Sequence, residues 1–83
     1  MKTKANFLEK LGLNIRAQRE KAGYTQTDFA FRVKMARRYY TDLENGRINP
    51  SIIHLMRIAF ALGVDFSEFV PRGFSERHLT DSD

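Results

Sequence analysis

The sequence predicts a small all-α protein built from five short helices. Apolar residues recur at spacings of three and four, which is the pattern of amphipathic helices, and no segment alternates apolar and polar residues over the length of a strand. Glycines, prolines and short polar runs interrupt the periodic segments, as expected where helices end. The 83 residues suffice for one small domain that buries roughly 60–65% of its unfolded surface.

The composition excludes several classes of function. The chain has no cysteine, so disulfides, thiolate metal sites and thiol chemistry are excluded. No apolar run approaches the roughly 20 residues of a membrane span, and the first ten residues lack the apolar region of a signal peptide. Together these features predict a soluble cytoplasmic protein without a membrane partner.

The charge is distributed unevenly along the chain. The formal net charge is +4, but residues 1–64 carry twelve Lys and Arg against five Asp and Glu, whereas residues 65–83 carry two against five. A basic body with an acidic end fits a polyanionic partner, although basic surfaces also occur on proteins that bind none.

The first two helices are predicted from an apolar stripe and a start signal. The stripe of the first helix consists of Leu8, Leu11, Ile15 and Ala22. Gly23 is predicted to end this helix in the left-handed conformation. Thr25 and Asp28 form a capping-box pattern, which predicts a second helix at about residues 26–33. Its buried side chains are predicted to be Phe29, Ala30 and Val33.

The remaining helices follow from similar signals. A third helix at about residues 36–45 is predicted to turn Tyr40 and Leu43 inward and to end at Asn45-Gly46. Ser51, after Pro50, is a candidate N-cap for a fourth helix at about 52–62. The segment DFSE predicts a short fifth helix bearing Phe66 and Phe69. Residues 71–83 are predicted to be a polar, mobile tail, which leaves a domain of residues 1–70.

Helices two and three are joined by very few residues, with small or apolar side chains where they must meet, the pattern of a helix-turn-helix. Three segments, LGLNIRAQREKAGYTQTDFA, LENGRINPSI and LMRIAFALGVDFSEF, occur in one order with fitting gaps. In these segments the chain resembles the lambda-repressor-like (Xre-type) DNA-binding family over about residues 8–70. The resemblance implies a five-helix fold, a homodimer on a pseudo-palindromic operator in double-stranded DNA, and transcriptional regulation without cofactor, metal or small-molecule ligand.

The resemblance also implies roles for individual residues, with helix three in the major groove. The base-contacting positions are Arg37, Arg38, Thr41 and Asp42. The backbone-contacting positions are Gln26, Lys34, Asn45 and Arg47, with Arg16 and Tyr39 as further candidates, Tyr39 being expected to point outward. Arg19 and Glu44 match a structural ion pair. Two positions depart from the family pattern: Lys34 replaces the usual glycine of the turn, and Ala36 replaces the usual Ser or Thr cap of helix three.

Two further questions concern partners and catalysis. Ile53 and Phe60, seven residues apart on one helix face, form with Phe66 a candidate dimer interface. His54 and His78 stand alone without clustered carboxylates, so neither predicts a metal site or a general base, and an enzyme is not expected. The competing prediction is an antitoxin or adaptor that mainly binds a partner protein. Among regulators, a phage repressor, a restriction–modification controller and an antitoxin all fit.

Overall fold

The computed structural model describes residues 2–80, and within this range the fold is entirely helical. Five α-helices follow each other in the order α1 (Lys4–Lys21), α2 (Gln26–Arg32), α3 (Arg37–Glu44), α4 (Ile52–Leu62) and α5 (Glu76–Thr80). A single 3-10 turn, Phe66–Glu68, lies between α4 and α5. The all-α prediction is therefore confirmed.

The core lies between α1, α2, α3 and α4, with one side chain supplied from beyond the 3-10 turn. The buried apolar residues are Leu11, Ile15, Phe29, Ala30, Val33, Met35, Tyr40, Leu43, Leu55, Ile58, Ala59 and Phe69. Three aromatic rings from the α1–α2 turn, α2 and α3 contact one another: the Phe29 ring lies 5.0 Å from that of Tyr24, tilted by 55°, and 5.5 Å from that of Tyr40, edge to face. Such aromatic contacts add to the burial free energy, so the core holds α3 by its inner face.

The helix starts are set by side-chain caps, with one exception. The hydroxyl oxygens of Thr25 and Ser51 accept hydrogen bonds from the amides three residues ahead, as the sequence predicts for α2 and α4. A capping box of Thr3 and Asn6, which the sequence analysis did not anticipate, starts α1. Ala36 gives α3 no side-chain cap, so the first amides of α3 have no acceptor from the cap side chain.

Four helices end with the same backbone hydrogen bonds. At the ends of α1, α2, α3 and α4, one amide donates to the carbonyl three residues back and the next amide donates five residues back, a Schellman motif. The left-handed residue is glycine in three of them, Gly23, Gly46 and Gly63, but Lys34 at the end of α2, with φ of +58°. The left-handed ending at Gly23 confirms the prediction from the sequence.

Helices α1 and α3 approach closely because of a glycine inside α1. A Cβ atom at Gly12 would lie 2.2 Å from the backbone oxygen of Glu44, so no side chain fits there. The expectation that the glycines end helices is wrong for Gly12, which lies inside α1. Glycine occurs there because it lets two backbones approach closely. The contact sets how far the end of α3 stands from α1.

Three predictions about the ends of elements need correction. Ala22 is exposed and does not belong to the buried stripe of α1, because it is the cap residue beyond the last turn. The predicted fifth helix is only the 3-10 turn, in which Asp65 accepts a hydrogen bond from the Ser67 amide in place of a capping box. Residues 71–80 are not a structureless tail, since they include α5 and place the Phe74 ring 5.3 Å from that of Phe7. Residues 81–83 lie outside the described range, and the domain boundary near residue 70 stays a prediction.

Candidate nucleic-acid interface

A turn of four residues sets α3 at an angle to α2 and leaves one face of α3 uncovered. Val33 and Met35 in the turn are buried, whereas Lys34 between them is exposed. On α3 the inner face is formed by Tyr40, Leu43 and Glu44. The outer face carries Arg37 and Arg38, both exposed, and Thr41 and Asp42, both half-buried. The structure therefore places together the four side chains that the resemblance assigns to base contacts.

A buried hydrogen-bond network fastens the last turn of α3 to α1 and α2. The Glu44 carboxylate accepts from Arg19 Nε at 2.6 Å and Arg19 Nη2 at 3.2 Å, from Gln26 Nε2 at 2.8 Å, and from the Tyr40 hydroxyl. Arg19 Nη1 also donates to the Tyr24 carbonyl oxygen at 2.7 Å. Arg19 and Glu44 are only 5% and 2% exposed. The two residues thus form the structural ion pair that the resemblance implies.

The pKa values in this network reflect the balance between burial and hydrogen bonding. Burial alone would raise the pKa of Glu44, but hydrogen bonds from Arg19, Tyr40 and Gln26 outweigh it and hold the pKa below its ordinary value. The hydrogen bond to Glu44 raises the pKa of Arg19, and burial raises that of Tyr40. At neutral pH the network therefore contains one carboxylate, one guanidinium and one neutral phenol.

The two arginines that begin α3 have different partners. Arg37 Nη1 donates to the Thr27 hydroxyl oxygen on α2 at 2.8 Å, so this side chain bridges the two helices. Arg38 is 90% exposed in its side chain and lies 3.5 Å from Asp42 Oδ2, one turn further along α3. The other oxygen of Asp42 lies 3.5 Å from Nη1 of Arg47. The contact with Thr27 is not apparent from the sequence, because it depends on how α2 and α3 cross.

The residues proposed for backbone contacts surround α3 at several points. Gln26 begins α2 and uses one amide hydrogen on Glu44, which leaves its second amide hydrogen for another acceptor. Lys34 and Asn45 are exposed at the two ends of α3. Arg47 follows the left-handed Gly46, whose Cβ would lie 2.6 Å from the Glu9 Cα atom. A glycine is thus required there, and it turns Arg47 back toward the outer face of α3.

The two further candidates for contact with the DNA backbone, Arg16 and Tyr39, both contact other side chains of the protein. Arg16 Nε lies 3.7 Å from Glu20, one turn along α1. Tyr39 does not point outward as the sequence analysis expects: it is half-buried, and its hydroxyl oxygen lies 2.7 Å from His54 Nδ1 on α4. The two rings also pack edge to face at 5.0 Å. The sequence does not reveal this contact, because Tyr39 and His54 are 15 positions apart.

Arg57 is a residue that the sequence analysis missed. From α4 its Nη1 donates to the carbonyl oxygen of Val33 at 3.0 Å and reaches that of Lys34 at 3.4 Å. Carbonyl groups at a helix end lack partners within the helix, so Arg57 supplies an outside donor to the turn. Nothing in the sequence signals this contact, since the residues are 24 positions apart.

The residues of the predicted dimer interface differ in exposure. Ile53 and Phe60 on α4 are 63% and 75% exposed, whereas Phe66 is half-buried with its ring 6.3 Å from that of Phe69. Phe31 on α2 is the most exposed of the large apolar side chains in residues 2–80, at 86%. Exposed apolar side chains on one helix face are typical of contact surfaces.

The chemistry available at the outer face of α3 is binding of anions by arginine side chains. Residues 2–80 contain no group of three or more side chains able to hold a metal ion. None of the helices in this range is both long and apolar enough to cross a membrane.

The sequence and the fold both match known proteins. A helix-turn-helix family model matches residues 15–69. The control protein C.MunI of Mycoplasma sp is 37% identical over 51 residues, which cover 61% of this chain and 69% of that protein. The ImmF control region 10 kDa protein of Bacillus phage phi105 is 39% identical over 59 residues, or 71% and 66% of the two chains. The crystal structure of the restriction-modification controller protein C.AhdI from Aeromonas hydrophila superposes with a TM-score of 0.72 at 31% identity, covering 75% of this chain and 94% of that one.

Proposed function

The chain belongs to the lambda-repressor-like helix-turn-helix family of DNA-binding transcription regulators, and from this premise we propose that α3 is its recognition helix in the major groove of DNA. The observation that carries the proposal is the exposed pair Arg37 and Arg38 at the start of a helix whose opposite face is locked into the core. An α-helix fits the major groove, where the N-terminal residues of a recognition helix meet the base edges.

The side chains of the outer face suit the two kinds of DNA contact. Arginine binds guanine O6 and N7 with two hydrogen bonds, a contact that discriminates by about 1–3 kcal/mol per base. We assign this role to Arg37 and Arg38, with Thr41 one turn further along. Contacts to phosphate come from the cations and amides around α3, namely Gln26, Lys34, Asn45, Arg47 and Arg16. Tyr39 is left out of this set because its hydroxyl group is hydrogen bonded to His54.

A homodimer would place two copies of α3 in successive major grooves. Half-sites of such dimers lie about 34 Å apart, so the operator is expected to be a pseudo-palindrome. The exposed face of Ile53 and Phe60 on α4, extended by the partly exposed Phe66, is the surface that we assign to the partner copy. A symmetric contact of this kind repeats one small apolar patch on both subunits.

The relatives support a class of regulator. C.MunI is named a control protein, C.AhdI a restriction-modification controller, and the phi105 protein an ImmF control region protein. We therefore place this chain among small regulators of the controller and repressor type. The genes that it regulates would be identified by an inverted repeat in promoter DNA.

The test is a binding experiment with selected DNA. Duplexes with randomised cores are selected with the wild-type protein, and the affinity for the selected duplex is measured against salt concentration beside a scrambled duplex. For Arg37→Ala/Arg38→Ala we expect a loss of at least tenfold on the selected duplex, because each arginine discriminates by about 1–3 kcal/mol. The salt dependence should also become shallower, since two cations are removed.

The matched control removes the same charge elsewhere. Arg72 and Arg77 are exposed and lie beyond α4, far along the chain from α3, so Arg72→Ala/Arg77→Ala should keep the preference for the selected duplex. Circular dichroism must show that both double variants stay folded. Selection that enriches no sequence, or equal losses in the two double variants, would refute the proposal.

A second candidate function is a module that binds a partner protein, as an antitoxin or adaptor does. The observation in its favour is the exposure of Phe31 and Phe60, at 86% and 75%. Copurification of a stoichiometric partner from the native host, together with no sequence preference on DNA, would support this candidate.

A further inference from the structure

Asp42 lies between two arginines on the outer face of α3. Its Oδ2 atom is 3.5 Å from Arg38 Nε, and its Oδ1 atom is 3.5 Å from Arg47 Nη1. The Asp42 side chain is only 21% exposed, whereas those of Arg38 and Arg47 are 90% and 67% exposed. Each carboxylate oxygen thus already has a cationic partner within the protein.

The backbone fixes the three residues relative to one another. Arg38 and Asp42 are one turn apart on α3, the spacing at which side chains on a helix meet. The Arg47 amide donates to the Asp42 carbonyl oxygen at 2.9 Å as part of the Schellman motif that ends α3. The positions of Asp42 and Arg47 are therefore set by main-chain hydrogen bonds, independently of their side-chain contact.

Resting on the function proposed above, we infer that Asp42 is a positioning residue, which holds Arg38 toward the bases and Arg47 toward the phosphate backbone. Arginine side chains lose much rotamer freedom on binding, and a carboxylate between two of them restricts both before DNA arrives. A direct contact from Asp42 to a base would instead need the amino group of a cytosine or an adenine as donor, and the carboxylate would then share its oxygens between that base and the arginines. The geometry favours the positioning role, because both carboxylate oxygens face arginines.

The cost of this arrangement is a negative charge near the phosphates of DNA. An isolated aspartate there weakens binding to every sequence alike, since binding depends on the number of phosphates that the protein neutralises. The positioning role therefore predicts opposite effects on the two kinds of binding when the charge is removed. Binding to unrelated DNA should improve, and the preference for the operator should fall.

Asp42→Asn is the test substitution, since it keeps the shape of the side chain and removes its charge. On a scrambled duplex we expect tighter binding with a salt slope steeper by up to about one, as one more protein cation acts on phosphate. On the duplex selected with the wild-type protein, the ratio of specific to nonspecific affinity should fall about tenfold. Asp42→Glu, which keeps the charge, should retain most of the wild-type ratio.

A double-mutant cycle separates positioning from direct base contact. In a positioning role, Asp42→Asn and Arg38→Ala are coupled, because Arg38 is the base-contacting arginine that Asp42 holds. The loss of specificity in the double variant is therefore smaller than the product of the two single losses. Two results would overturn the inference. In the first, the losses of specificity multiply and the preference changes at a single base pair, which would identify Asp42 as a direct base contact. In the second, Asp42→Asn leaves the ratio of specific to nonspecific affinity unchanged.

The control variant is Glu68→Gln, which removes one negative charge from an exposed residue outside α3. It should leave the specificity ratio unchanged, which excludes an effect of net charge alone. Failure of the proposed function looks different from failure of this inference. If the proposed function is wrong, the wild-type protein itself shows no preference for any duplex. If only the positioning role is wrong, the wild-type protein prefers the selected duplex and the Asp42 variants give the results that contradict the role.

Discussion

At the scale of single residues, Glu44 combines a full negative charge with almost complete burial. It is 2% exposed and accepts hydrogen bonds from Arg19, Gln26 and Tyr40. A buried charge is tolerated only when it is paired and hydrogen bonded. Because its partners come from three helices, Glu44 is the point at which α1, α2 and α3 are joined by polar contacts.

We predict that Glu44→Gln lowers the free energy of unfolding by about 3 kcal/mol, because it leaves the buried Arg19 charge with only the exposed Glu20 carboxylate, 4.0 Å away, as a counter-ion. The measurement is denaturant unfolding at neutral pH. Glu20→Gln is the matched control, since Glu20 is 59% exposed and lies 3.7 Å from Arg16 and 4.0 Å from the same Arg19. The same chemical change at this exposed side chain should cost less than about 1 kcal/mol. Equal losses of unfolding free energy in the two variants would show that burial of the Glu44 carboxylate does not increase its contribution to stability.

The stability difference between the wild-type protein and Glu44→Gln is predicted to depend on pH. The pKa of Glu44 in the folded protein is lowered from its ordinary value of 4.5, so the folded state favours the charged form more than the unfolded chain does. Its contribution is complete above about pH 4.5 and is lost as the pH falls through the lower folded-state pKa. The stability difference between wild type and Glu44→Gln should therefore shrink on acidification. The pKa of Asp65 is also lowered, by the Ser67 backbone amide, but this effect is common to both proteins and cancels.

At the scale of elements, the helix-turn-helix of α2 and α3 differs from the other helices in two places, the residue that ends α2 and the residue that begins α3. The left-handed position of the turn is Lys34, where the corresponding motifs have glycine, and α3 begins at Ala36 without a side-chain cap. Each departure is unfavourable by about 1 kcal/mol. Arg57 offsets part of this cost by donating to the carbonyl groups of Val33 and Lys34. Helix α3 is thus held by tertiary contacts more than by its own termini.

Lys34→Gly should raise the free energy of unfolding by roughly 0.5–1 kcal/mol. Relief of the left-handed conformation gains about 1–2 kcal/mol, and the greater freedom of glycine in the unfolded chain removes about 0.5–1 kcal/mol of this gain. Thermal or denaturant unfolding measures the difference. Lys34→Ala, which removes the charge but keeps the Cβ atom, should give no such gain, and a gain of equal size there would rule out backbone strain as the cause.

At the scale of the whole molecule, the exposed apolar side chains and the surface proposed to bind DNA lie on different helices. The outer face of α3 is cationic, and the exposed apolar side chains Ile53 and Phe60 lie on α4. In the proposed function, this separation allows two copies to associate through α4 while each presents α3 to DNA. Dimerisation would then contribute to affinity, because one protein–protein contact joins two half-site contacts.

Ile53→Glu/Phe60→Glu should give a folded monomer, since two carboxylates on each subunit would face each other across a symmetric contact. Analytical ultracentrifugation measures the association, and binding to the selected duplex should weaken by more than tenfold as the two half-sites become independent. Leu13→Glu changes an apolar side chain that is 54% exposed on α1 and serves as the control. A double variant that remains dimeric would place the interface elsewhere.

Much of this architecture could be predicted from sequence because its signals are local. The caps at Thr25 and Ser51, the glycine endings and the periodicity of α4 involve residues within one or two turns, so the order of elements and most of the buried side chains follow from spacing alone. The ends of the chain were less predictable. Residues 71–80 were expected to be an irregular tail, but Phe74 reaches Phe7 of α1, a contact between residues far apart in sequence.

Neighbouring residues alone predict an all-helical domain in which a helix that begins with Arg37 and Arg38 follows a tight turn, and the sequence also carries the resemblance to a DNA-binding family. Only the tertiary structure decided which side chains are engaged: Tyr39 with His54, Arg37 with Thr27, Arg57 with the turn, and Asp42 between Arg38 and Arg47. The reason is physical. Helix formation depends on neighbours within a few residues, whereas the hydrogen bonds of a long polar side chain depend on the distance and crossing of helices, which the packed core alone sets.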